Sequence, residues 1–239
     1  MLRIASILAF IVIGLIAAPA AAARPLTGEA GQVATSTGAG GSPSACSDNN
    51  YRFLGGGAHW QSSLDWRFRR SSVPSSLNAG NTLDVIKKSF RNVVNSRNDC
   101  GMADQVGATQ SYLGTTTRRP NVSANGACTT RDGHNVVGFG QLNGGFSGYT
   151  CIWWVGDEIV EADMRLDTNT PWALTLGSCS GELMMEALVT HEVGHAYGLG
   201  HVGETNHGRQ TMSTFIDGLC ENQEATLGRG DVLGLRDLY

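Results

Sequence analysis

The chain has 239 residues, of which 41% are hydrophobic and 16% charged, and its formal net charge is −4. These proportions fit a folded domain of ordinary size with added segments and exclude a largely disordered polypeptide. The mild acidity argues against a nucleic-acid partner, and no run of like charges marks a polybasic membrane contact.

At the start, Arg3 precedes an uncharged apolar stretch from Ile4 to Ala18, then Pro19 and four alanines, Ala20 to Ala23. A basic start, an apolar middle and small residues at the end read as a secretory signal peptide over residues 1–23, cut after Ala22 or Ala23. An uncleaved membrane anchor is the competing reading, and Pro19 with the alanines weighs against it. The expectation is a secreted, extracellular protein with no stable membrane association after cleavage. Residues 24–58 are rich in Gly, Ser, Thr and Ala without periodicity, which predicts a linker or pro-segment. A single catalytic domain is expected over 59–239.

Within that domain, Leu64 to Arg69 alternates apolar and polar residues like a half-buried strand. The run Thr82 to Asn98 places Val85, Ile86, Phe90, Val93 and Val94 on one helical face, with Lys87, Lys88 and Arg91 left for solvent. Asn81 or Thr82 is its expected cap. Strands are predicted around 106–112, 135–142, 149–155 and 159–166, separated by turn chemistry at Asn143-Gly144-Gly145 and Gly156-Asp157. A second helix is predicted from Ser180, as N-cap, to about Tyr197, and a short one from Asp231 to Tyr239. This order of elements suggests an α+β domain.

Six cysteines follow the leader: Cys46, Cys100, Cys128, Cys151, Cys179 and Cys220. An even number in an exported chain reads as a disulfide framework, and the absence of any CxxC pair argues against a cysteine-bound zinc. Spacing alone does not decide the pairing; the sequential one (Cys46–Cys100, Cys128–Cys151, Cys179–Cys220) is the simplest.

The chemistry concentrates in His191-Glu192-Val193-Gly194-His195-Ala196-Tyr197-Gly198-Leu199-Gly200-His201. Residues four apart share a helix face, so His191 and His195 can grip one Zn2+ from adjacent corners of a tetrahedron. Glu192 projects to another edge, where it can hold water rather than metal. Gly198 lets the chain turn out of the helix and return His201 as third ligand. Three protein ligands leave one position open, as a catalytic zinc requires. A chain of this length meets such a five-residue pattern by chance about once in a hundred thousand, so a surface helix with incidental histidines is the weaker reading.

This segment resembles the metzincin metallopeptidases, whose HExxHxxGxxH pattern is followed by a Met-turn. Thr211-Met212-Ser213 is the candidate turn, and the resemblance implies that Met212 floors the metal site. Two further segments are similar to the matrixin branch. Ile159 to Met164 resembles the strand along which peptide substrate is laid, which implies substrate contacts at Glu161, Ala162, Asp163 and Met164. The pattern Leu227-x-x-x-Asp231-x-x-Gly234-Leu235-x-x-Leu238-Tyr239 resembles the closing helix. The resemblance covers roughly Leu64 to Tyr239 and implies a metzincin-like fold: a twisted mixed β-sheet, two main helices, one carrying the zinc motif, and a short C-terminal helix. It also implies that Ser213 to Gly230 walls the pocket beyond the scissile bond.

Departures from the matrixin pattern are Val202 after the third histidine and Gly230 in the first place of a paired-aspartate motif. Thr214 stands where astacins have a tyrosine ligand. His134 alone cannot build a second, structural zinc site, and no propeptide cysteine-switch sequence is present. Cys46 as an inhibitory thiolate would leave an odd number of other cysteines.

The expected activity is endopeptidase hydrolysis of peptide or protein substrates by a monomer carrying one catalytic Zn2+, with Glu192 as general base. The alternative is a secreted zinc-binding module without proteolytic activity. Ca2+ is a further candidate at Asp157, Glu158, Glu161 and Asp163, against the simpler reading of a solvated strand edge. His207, near the motif, is a candidate substrate contact; His59 and His134 read as ordinary polar residues.

Overall fold

Strand β1 (Arg24–Gly28) and strand β2 (Gln32–Ala34) precede a two-residue strand β3 (Arg52–Phe53), and β4 (Leu64–Phe68) begins the central part of the chain. These belong to a computed structural model that describes residues 24–28, 32–34 and 43–239. The proposed leader, residues 1–23, lies outside the described residues. Helix α1 (Ala79–Val94) follows, then β5 (Gln110–Thr115), β6 (Asn135–Gly140), β7 (Gly148–Val155) and β8 (Glu158–Asp167). The last third holds β9 (Trp172–Ala173), β10 (Leu183–Met184), α2 (Met185–Ala196), β11 (Leu199–Gly200), α3 (Glu204–His207), β12 (Phe215–Asp217) and α4 (Arg229–Leu238).

Six strands form one sheet in the order β1-β7-β8-β6-β4-β5. Strands β8, β6, β4 and β5 run parallel to one another, whereas β7 is antiparallel to β8 and to β1. The expected α+β architecture with a mixed sheet is therefore what the chain adopts.

Alternation assigns the faces. Leu64, Trp66 and Phe68 of β4 are buried and meet Ile86, Phe90 and Val93 of α1, with Trp66 stacked on Phe90 at 4.2 Å between ring centroids. Ile152, Ala162, Met164 and Leu166 join the same core with the residues of α2. On the outer face Tyr149, Cys151 and Trp153 pack with Val122 and Leu142 as a second, smaller cluster. Strands covered on both faces lose the alternating pattern, and β7 reads as a nearly continuous apolar run.

The cysteines pair sequentially: Cys46–Cys100, Cys128–Cys151 and Cys179–Cys220 close 54, 23 and 41 residues respectively. Loops of that size stabilise by about 3–4 kcal/mol each in the chain-entropy picture. Among the described residues no helix is long and apolar enough to cross a membrane.

Four expectations change. Residues 43–58 are part of the folded body rather than linker, because Cys46 is bridged to Cys100, the Leu54 amide donates to Gly198 O at 2.8 Å and β3 pairs with β11. Helix α1 starts three residues earlier than Thr82, capped by Asn78, whose side chain accepts from the amides of Gly80 and Asn81 at 2.9 and 3.1 Å. Helix α2 starts at Met185, not near Ser180, since the Cys179–Cys220 bridge and the parallel pairing of β10 with β9 hold the preceding residues extended. Finally, Glu161, Ala162, Asp163 and Met164 do not lie on a sheet edge. Strand β8 is flanked by β7 and β6, and its backbone is engaged, so no peptide can be added there. The strand beyond it, β7, is the one whose outer side receives an added chain.

Candidate metal centre

All twelve residues of α2 are buried, including Thr190, His191, Glu192 and His195. Polar side chains in such a place need partners, and the two histidines find them on their Nδ1 side. His191 Nδ1 donates to Thr211 O at 2.6 Å and His195 Nδ1 to Leu199 O at 2.8 Å. That fixes the tautomer and leaves each Nε2 with a lone pair. The chain leaves the helix at Gly198, at φ +90°, where a Cβ would press on Ala58 O; no other residue turns there without strain. His201 thereby returns toward the helix.

The three Nε2 atoms converge: His201 Nε2 lies 3.1 Å from that of His191 and 3.0 Å from that of His195. Lone pairs facing one another at this distance repel unless a cation sits among them. Nitrogens bound tetrahedrally at 2.0–2.1 Å to zinc stand about 3.3 Å apart. The triad is close to that size. Burial first, and mutual repulsion second, push the pKa of His191 well down and that of His201 to about 3, so both rings are neutral, as metal ligation requires. Among the described residues one other group has metal-ligand spacing, Cys179, Glu182 and Cys220, but its two cysteines are disulfide-bonded. The donor set fits zinc.

Glu192 follows the first histidine and is fully buried. Thr150 of β7 donates its hydroxyl to Glu192 Oε2 at 2.6 Å, while Oε1 has no hydrogen-bond partner. Burial raises its pKa to about 8 against the opposing Thr150 hydrogen bond. A dication beside it favours the carboxylate. Gly148 keeps this corner open, since a Cβ there would stand 2.6 Å from Oε1.

Met212 closes the other side. Gly194, between the two helical histidines, has its missing Cβ replaced by the Met212 sulfur, so the thioether packs directly against the helix backbone. The turn carrying Met212 is held from α4: Asp231 accepts from the amides of Thr211 at 2.9 Å, Met212 at 3.3 Å and Gly228 at 2.9 Å. Since Thr211 is also the carbonyl partner of His191, Asp231 orients that imidazole through two links.

Other residues singled out in the sequence are placed elsewhere. Glu161 and Asp163 face the outer segment, where Glu161 accepts from the amides of Asp132 and Gly133, and Asp163 Oδ1 from that of Val136 at 2.9 Å. No calcium-like group of Asp157, Glu158, Glu161 and Asp163 converges among the described residues. His207 is held by Asp48 at 2.7 Å, and Cys46, being bridged, offers no inhibitory thiolate. Thr150 escaped the sequence reading because a threonine in an apolar strand carries no signal of its own. Asp231 stood in the closing-helix pattern without a role.

Residues 148–239 match the family model described as Matrixin. This stretch begins with β7, includes Thr150, His191, Glu192, His195, His201, Met212 and Asp231, and is similar to a matrixin-type peptidase domain. The similarity supports zinc metallopeptidase activity. No curated protein matches the chain.

Proposed function

We propose that this matrixin-like chain is a secreted zinc endopeptidase in which His191, His195 and His201 hold the metal and Glu192 is the general base. The observation that carries the reading is the convergence of three histidine Nε2 atoms beside a buried carboxyl group with one free oxygen. Bound there, a zinc ion would supply Lewis-acid polarisation of the scissile carbonyl and acidify water. Glu192 Oε1, the unpartnered oxygen, takes the proton of the attacking water and passes it to the leaving amine nitrogen as the C–N bond breaks. Thr150 holds Oε2 and so fixes the carboxylate rotamer. The Met212 thioether seals the opposite side against water.

The substrate lies as an added strand on the outer side of β7 rather than along β8. An extended segment of this same chain marks that path. Strand β1 pairs antiparallel with β7, with Gly28 opposite Thr150, and β2 pairs parallel with β12, beyond the Met-turn. A substrate following the path passes the residues that would hold water and metal, and must displace β1 and β2 to do so. Export follows from the leader-like residues 1–23, and the three disulfides suit an oxidising compartment.

The test is a peptide library exposed to the full mature protein and to a form beginning at Pro43, each with and without a zinc chelator and each as wild type and Glu192→Gln. Chelator-sensitive cleavage is expected, faster in the shorter form. Glu192→Gln should lower kcat by roughly a hundredfold to ten-thousandfold while one zinc per chain remains bound. Wild-type cleavage in Glu192→Gln would remove the assignment of the base. Bound zinc with no cleavage of any peptide would favour a non-proteolytic zinc module.

A further inference from the structure

The outer face of the sheet carries a polar cavity, separated from the histidines by the sheet itself. It has a volume of about 480 Å3 and is lined by Arg69, Arg119 and Arg165 together with Asn121, Thr129 and Gln141. Arg69 directly follows β4, Arg165 projects outward from β8, and Arg119 belongs to the segment that crosses over them. Among the described residues no carboxylate lines the cavity.

Neighbouring arginines behave differently. Arg118 is paired with Asp132 at 3.1 Å and Arg131 with Glu161 at 3.5 Å, while Asp163, which is not among the residues lining the cavity, accepts from the Val136 amide through Oδ1 and leaves Oδ2 without a partner. Asp167, whose charge acts on Arg165, accepts from the amides of Leu142 and Asn169 and from the Thr170 hydroxyl. Arg165 spends one nitrogen on Val122 O at 2.7 Å, but its Nε is buried with no partner, and so is the Nε of Arg69. Burial and the charge of Arg119 both lower the Arg165 pKa, with Asp167 opposing. Strand β6 is shaped to admit these side chains. A Cβ at Gly140 would stand 2.6 Å from Arg165 Nε, and one at Gly138 would stand 3.1 Å from Arg69 Cβ. Three like charges gathered around a ligand-sized space, with two buried donors unanswered, call for a counter-charge from outside the chain.

We propose that this cavity binds a small molecule through a phosphate-type oxyanion, with Arg69, Arg119 and Arg165 as its ligands. Guanidinium forks match tetrahedral oxyanions geometrically, and Thr129, Asn121 and Gln141 add neutral hydrogen-bonding groups at the rim. The volume lies in the range of small-molecule sites and exceeds what an inorganic ion alone fills. The site is independent of the metal centre, because it faces the opposite side of β7 and β8.

Calorimetric titration of the full mature protein with inorganic phosphate tests this, with sulfate as a second oxyanion and chloride at matched ionic strength as control. Phosphate and sulfate should bind saturably and raise Tm, while chloride should do neither. Arg119→Gln and Arg69→Gln should each weaken phosphate binding at least tenfold. Thr129→Glu, which places a carboxylate at the rim, should raise Tm in phosphate-free buffer and remove the phosphate response. Equal phosphate affinity in wild type and both arginine variants, or a phosphate effect no larger than that of chloride, would overturn the proposal.

Discussion

Helices α1 and α2 pack against each other on the same face of the sheet, yet they are built on different terms. Helix α1 has a side-chain cap at Asn78, a buried stripe of Ile86, Phe90 and Val93, and an opposite face with Arg91 exposed. Helix α2 has no side-chain cap and no exposed face; its buried polar groups are answered from other elements, with Glu192 Oε1 the exception. The two meet through Glu186, which accepts from Lys88 at 2.7 Å and Asn92 at 3.0 Å. The lesson is that α1 is stable largely by its own pattern, while α2 depends on β7, the Met-turn and α4 for the satisfaction of its buried groups.

The largest expected effect lies outside both helices, at Asp231. Burial raises its carboxyl to about 7 despite three backbone donors. The folded state therefore holds a proton that the unfolded chain has released once pH exceeds about 4. Stability should fall as pH rises from about 4 to 7, by roughly 4 kcal/mol at most, and level off above that window. Urea midpoints of wild type and Asp231→Asn across pH 4–8 measure it; the variant should be less stable at low pH but have the shallower slope. Parallel slopes would mean that Asp231 does not set this dependence.

A smaller effect is expected at Gly194. An alanine there puts its Cβ onto the Met212 sulfur, so Gly194→Ala should lose about 1–3 kcal/mol and weaken zinc binding. An unchanged Tm together with unchanged metal affinity would show that the turn moves freely and that α2 is less dependent on it. Smallest is the cap of α1. Asn78→Ala should cost about 1 kcal/mol in chemical denaturation and leave peptide turnover as it was. A loss of turnover would couple α1 to the site more tightly than its contacts suggest.

Legibility followed the same division. The strand at Leu64, the body of α1 and the closing helix were readable because half-buried elements display their period. Helix α2 was readable through its histidine spacing rather than its hydrophobicity, since a helix buried all round has no polar face to mark it. Its start was misplaced, because a disulfide and the pairing of β10 with β9 decide where it begins. The position of β8 was hidden for a related reason: β7 and β8 are both apolar runs, and only the sheet order shows that β8 lies between β7 and β6 while β7 takes the added strand β1.

The candidate group His191, Glu192, His195 and His201 was specified by residue type and spacing alone, since helical geometry puts side chains four apart on one face and a glycine turn returns the third histidine. What tertiary structure decided was everything that makes those groups usable together. Thr150 orients Glu192, Thr211 and Leu199 set the histidine tautomers, Asp231 pins the turn that carries Met212, and the sheet order places β1 on the outer side of β7. These partners come from segments far apart in sequence, and hydrogen bonds between such segments leave no local period to read.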